Sequence, residues 1–178
     1  VDLFARLRYA VGHQALVVLD EAGELRFTGE AMMYLTYLDW EARKLDSAAR
    51  HISGALAISR EVGDMIYEAR YQAILSALDA CRDRRDEAAR GFERAEALAS
   101  EAGSSLVELT VSLLHGQLEV AHARDATGRG DQALASEEEA KARARIIPAE
   151  EKGPPDEAHP EGTPPACERC DEVRFVLK

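Results

Sequence analysis

Residues 46–63 read DSAARHISGALAISREVG, and 40 positions later residues 86–103 read DEAARGFERAEALASEAG. Sliding the longer segment 46–78 forward by 40 keeps Asp46 on Asp86, Ala48 on Ala88, Ala49 on Ala89, Arg50 on Arg90 and Ala55 on Ala95. It also keeps Ala57 on Ala97, Glu61 on Glu101, Gly63 on Gly103, Glu68 on Glu108 and Leu78 on Leu118. Sliding backward aligns Ala15, Leu16, Glu21, Gly23, Leu35 and Leu38 with Ala55, Leu56, Glu61, Gly63, Leu75 and Leu78. A fixed period of this size marks stacked supersecondary units, none of which can bury its apolar face alone.

Each unit carries helical spacing. Ala31, Tyr34, Leu35 and Leu38, then Tyr71, Ile74, Leu75 and Leu78, then Val111, Leu114 and Leu118 each fall on one face of a helix. The second helix of each unit has alanines seven apart: Ala48 and Ala55, Ala88 and Ala95, Ala133 and Ala140. Small residues there let a neighbouring helix approach closely. Gly23, Gly63 and Gly103 stand one past a helix end, where a left-handed backbone is sterically easy for glycine. The expected map is a helix at 2–22, then pairs at 27–44 with 46–62, 65–82 with 84–102, and 104–126 with 130–147. The third unit is irregular. Ala133 follows Gly103 by 30 residues where Ala88 follows Gly63 by 25, which predicts a longer first helix or a longer loop.

Composition narrows the function classes. All 6 prolines lie between Pro148 and Pro165, so the first 147 residues read as one long helix-favouring stretch. A formal charge of −11 argues against a nucleic-acid backbone or an anionic membrane as partner, since both need a positive footprint. The short basic run Arg82, Arg84 and Arg85 reads as a solvated turn. The longest aliphatic run, Ala15 to Leu19, is too short to span a bilayer. Three cysteines without disulfide-framework spacing suit a reducing compartment, so a cytoplasmic location is expected.

These residues resemble the tetratricopeptide repeats. In that family a leucine and a small residue in the first helix precede an alanine, a bulky residue and a second alanine in the second helix. Leu35-Thr36 leads here to Ala48, Ile52 and Ala55, and Leu75-Ser76 leads to Ala88, Phe92 and Ala95. The third unit keeps Ala133 and Ala140 but has Glu137 at the bulky place. The period is 40 rather than 34, the family's tryptophan position is not tryptophan, and the closing proline is missing. Longer alanine-rich units of this kind are similar to the variant found in bacterial regulatory proteins. The resemblance implies an all-α fold over residues 1–147, a right-handed superhelix of antiparallel helix hairpins. It implies a module for binding a protein or peptide as the sensing or scaffolding part of a larger regulator. Residues 148–171 read as an acidic proline-rich linker, and 172–178 as the start of a further element or a docking tail.

First helices of such hairpins line a concave wall. There Met33, Tyr37 and Trp40 are spaced i, i+4, i+7, beside Ala73, Ala77 and Ala80 in the next unit and Leu113, Gln117 and Val120 in the third. Trp, Tyr and Met are enriched at interface centres, although the same side chains would also serve to pack a neighbouring helix. Glu30, Glu41 and Arg70 would orient a ligand. The first helix aligns with second helices elsewhere and has no preceding partner, so another part of a parent protein or a second copy could cap it.

Other chemistry has little basis. Cys167 and Cys170 have ligand-like spacing, with His159 upstream, but a closed zinc site needs four ligands. A zinc-responsive module and a small-molecule effector domain remain the alternatives to peptide binding. The five histidines are scattered, and the chain has no nucleophile elbow or glycine-rich phosphate loop, so neither catalysis nor a cofactor is expected.

Overall fold

The computed structural model describes residues 3–152. The expected linker at 153–171 and tail at 172–178, with His159, Cys167 and Cys170, lie outside the described residues. Seven helices and no strand occur among the described residues: α1 (Leu3–Glu21), α2 (Leu25–Glu41), α3 (Leu45–Val62), α4 (Met65–Cys81), α5 (Arg85–Ala102), α6 (Ser105–Gly128) and α7 (Gln132–Lys152). The chain divides into two compact units, Val1–Gly103 and Ser104–Lys178. α7 runs five residues past the expected boundary at 147 and includes Pro148.

In the first unit each helix packs on the next, α1 through α5. A left-handed residue stands between successive helices every 20 positions: Gly23, Arg43, Gly63, Asp83 and Gly103, with φ of 71°, 59°, 71°, 60° and 64°. A backbone bond reaching back five residues closes the turn, from Glu24 to Leu19, Lys44 to Asp39, Asp64 to Ser59 and Arg84 to Asp79. This is how a helix end satisfies carbonyls that have no intrahelical partner. At 43 and 83 the left-handed residue is not glycine, so those turns left no glycine landmark in the sequence.

Small side chains set how closely the helices approach. In the α2–α3 hairpin, Gly29 faces Ile58, Gly54 faces the Met32 thioether, and the Thr36 hydroxyl lies 3.5 Å from the Ala48 carbonyl, an antiparallel order. In the α4–α5 hairpin Gly91 meets Ser76 and Gln72. Around these contacts Leu35, Thr36, Ala48, Ile52 and Ala55 are buried, as are Ser76, Ala88, Phe92 and Ala95. In these two hairpins the residues that carry the resemblance are buried except Leu75, which is half-buried. Tyr34 is exposed whereas its counterpart Ile74 is buried.

The hairpins of the first unit are also tied through polar groups. Tyr67 donates to Glu30 at 2.6 Å, Arg26 pairs with Asp64 at 2.8 Å, and the Asp64 carboxylate caps α4 through the Tyr67 amide at 3.2 Å. Burial would raise the Glu68 carboxyl, but hydrogen bonds from Arg60 and Arg94 hold it below the usual carboxylate range. Glu68 thus links α3, α4 and α5.

The second unit is one long hairpin. α6 has 24 residues where α4 has 17, and seven residues are nearly two turns at about 3.6 residues each. The next left-handed residue is Gly130, seven later than the 20-residue cadence requires. This corrects the expected alanine register. Ala133 and Ala140 are exposed, while Ala135 and Ala142 are buried. The buried pair stands five and twelve residues after the left-handed turn, as Ala48 and Ala55 do after Arg43 and Ala88 and Ala95 after Asp83. The bulky place is then Glu139 rather than Glu137.

Gly91→Ala should lower stability by about 1–3 kcal/mol despite the better helix propensity of alanine, because the new methyl group collides with Ser76. Chemical denaturation of Gly91→Ala against Gly91→Ala/Ser76→Ala checks this, with recovery expected in the double variant.

Candidate functional site

Three sets of residues matter: the expected groove, an acidic position that recurs with the repeat, and a cleft on the long hairpin. In the groove set Met33, Tyr37 and Trp40 are half-buried on α2. Gly29 packs against the Tyr71 ring of α4, and Met33, Tyr37 and Trp40 continue its helical face at i+4, i+8 and i+11. That face looks toward α4, so part of each side chain is used internally. Ala73 is fully buried and offers a ligand no free surface, whereas Ala77 is half-buried. Glu30 accepts from Tyr67, and that bond raises the tyrosine's proton affinity. Glu41 lies 3.8 Å from Arg8 of α1. Two of the three charges assigned to ligand orientation therefore have partners within the fold, while Arg70 is half-buried beside Tyr67 and Tyr71. In the second unit Leu113 is buried and Gln117 half-buried.

Sequence reasoning missed the acids. Asp39, Asp79 and Glu119 share one register in the 40-residue repeat, and each meets a basic or imidazole group. The Asp39 carboxylate is fully buried, with the His51 Nδ1 at 3.1 Å. His51 stands edge-on to His13 at 5.8 Å, His13 contacts Tyr9 at 4.5 Å, and Lys44 caps the Tyr9 ring at 4.8 Å. Neither Asp39 oxygen has a well-aligned donor, and His51 Nδ1 likewise has no aligned acceptor. Asp79 takes Arg82 at 3.2 Å and Arg84 at 3.8 Å. Glu119 accepts from Arg145 at 2.9 Å, with His115 at 3.7 Å.

The long hairpin moves this pair by nearly two turns on both helices. Asp39 lies four residues before its turn and His51 eight after, whereas Glu119 lies eleven before and Arg145 fifteen after. Partners in an antiparallel hairpin must shift together.

The extra turns also build an open cleft of about 520 Å³ between α6 and α7. Val120, Ala123, Ala135 and Ala142 supply apolar surface, and Arg124, Arg143 and Glu139 carry the charge. Arg143 pairs with Glu139 at 2.7 Å. Val120 holds the register of Trp40 and Ala80. Among the described residues no group of three His, Cys, Asp or Glu is placed to hold a metal, and no helix is long and apolar enough to cross a membrane.

Burial holds the His51 imidazole below its ordinary value; Asp39 opposes the shift, and His13 and Arg50 add to it. The unfolded chain therefore takes up this proton at higher pH than the folded chain. The stability contribution is complete above about pH 6.5 and declines as pH falls toward the folded value. His51→Gln, which cannot titrate, should lose less melting temperature between pH 7.5 and 5.5 than the parent chain, read by calorimetry. At pH 7.5 His51→Ala should cost about 1–3 kcal/mol, since Asp39 then stays buried without its neighbour.

No family model matches the chain, and no curated protein matches it.

Proposed function

We propose that the chain is a tetratricopeptide-type interaction module, a right-handed superhelix of antiparallel hairpins. It captures a protein or peptide as the sensing or scaffolding part of a larger bacterial regulator. The observation that carries this reading is the cleft on the α6–α7 hairpin, with an apolar floor, Arg124 exposed at its edge and Arg143 paired with Glu139. Such a surface suits a peptide that places apolar side chains beside a carboxylate, which a guanidinium fork can clasp.

Two further features support it. The turn cadence of 20 residues divides the first unit into modules of equal size, as repeat architectures require. Met33, Tyr37 and Trp40 add an aromatic surface that is only half-buried, and such residues anchor interfaces.

A peptide-display selection on the whole chain tests the reading. Arg124→Glu should weaken a selected acidic, amphipathic peptide by about tenfold while leaving the melting temperature nearly unchanged, since Arg124 is exposed. Trp40 is the sole tryptophan, so its emission reports on the α2 surface. A peptide held there shifts it. Selected peptides that bind equally well to Arg124→Glu and to Tyr37→Ala/Trp40→Ala would sink the proposal.

A further inference from the structure

α1 has two apolar faces. One packs on α2, where Gly12 lies against Leu35 and Tyr34. The other consists of Leu7, Ala10, Val11, Gln14, Val17 and Val18, all exposed. Leu7, Val11, Val17 and Val18 are 59%, 61%, 51% and 53% exposed, and no charge falls on the face between Leu7 and Val18; Glu21, exposed at the end of α1, follows Gln14 in the same core position. The spacing i, i+3, i+4, i+7, i+10, i+11 is that of a helix-pairing seam, with Leu7 and Gln14 in one core position and Ala10 and Val17 in the other. A helix that is apolar on both sides wants a second cover.

We infer that two copies of the chain pair through this face, α1 against α1 in antiparallel orientation. Charge selects both occupant and direction. Arg6 and Asp20 are exposed, lie two heptads apart and flank the seam on the same side. In an antiparallel pair that flank meets itself reversed, so Arg6 of each copy faces Asp20 of the other. A parallel pair would set Arg6 against Val11 and would leave Asp20, at the end of α1, without an opposite charge. The antiparallel register also stacks Leu7 on Val17 and Ala10 on Gln14, so Gln14 lies beside the smallest side chain of the seam, while Glu21 falls at its end, where water can reach it. The contact is self-complementary and closes at two copies. Arg8, on the opposite flank, is already paired with Glu41. This pairing uses α1 alone and stands whether or not the α6–α7 cleft binds peptide.

Sedimentation equilibrium of the full chain decides it. At about 150 mM salt the Debye length is about 8 Å, which damps the long-range repulsion between two copies of charge −11. A monomer–dimer equilibrium is expected. Arg6→Asp and Val18→Asp should each raise the dissociation constant by about tenfold, with helicity unchanged by circular dichroism because both sites are exposed. Arg6→Asp/Asp20→Arg should return it to within about threefold of the parent value. A chain that stays monomeric up to about 1 mM, as one whose α1 face is covered by a different protein would, overturns the inference. So does a dimer indifferent to Val18→Asp, or one that the charge swap fails to restore.

Discussion

The close approach of antiparallel helices through small side chains, five and twelve residues after a left-handed turn, is the contact on which the fold depends. Ala48 and Ala55, Ala88 and Ala95, and Ala135 and Ala142 hold that place in the three hairpins, and all six are buried. Because protein interiors pack as tightly as organic crystals, a larger side chain on this line would push the helices apart. The partner helix answers with its own small groups, Thr36 and Ser76. The turns follow from the same constraint. A helix of 17 or 18 residues plus a short left-handed turn returns the chain to the seam every 20 residues.

The third hairpin tests how much variation that seam tolerates. Seven extra residues rotate the end of α6 by only about 20° from its original face, so the alanine seam re-forms without loss of register. The acid and its partner move with it, from Asp39 and His51 to Glu119 and Arg145. Nothing in the first unit corresponds to the added turns of the α6–α7 tip, and they create the cleft. Length that is neutral for packing thus becomes surface.

Polar groups inside the first unit carry a different kind of information. Desolvating a carboxylate such as Asp39 costs free energy that a nearby imidazole offsets only in part. The acid recurs at 39, 79 and 119 with a different neighbour each time: Asp39 and Glu119 meet groups on the second helix of their hairpin, while Asp79 holds the arginines of the α4–α5 turn. Histidines take part in the same contacts: His51 and His115 lie beside buried acids, and His13 stands edge-on to His51.

Much of this was legible in the residue order, because local rules write helices, their ends and their apolar faces into spacing. The 40-residue period, the glycine turns at 23, 63 and 103, and most of the buried residues of α4 can be read from it, whereas on the face read for α2 Leu35 and Leu38 are buried and Tyr34 is exposed. Position 39 was visible as well, in the shift that aligns Asp39 with Asp79 and Glu119, but an acid near a helix end looks solvated until a neighbour covers it. The alanines of α7 misled because that segment is alanine-rich throughout, and only packing against α6 separates Ala135 and Ala142 from Ala133 and Ala140. In the same way Ala73 resembled groove floor until neighbouring helices buried it, and Glu30 resembled a ligand contact until Tyr67 claimed it. The sequence by itself determined the number of helices among the described residues and, to within a turn, the ends of α1 to α5, because turn residues and apolar spacing act locally. Tertiary structure alone decided which apolar and charged side chains remain available, since that depends on contacts between residues far apart in the chain.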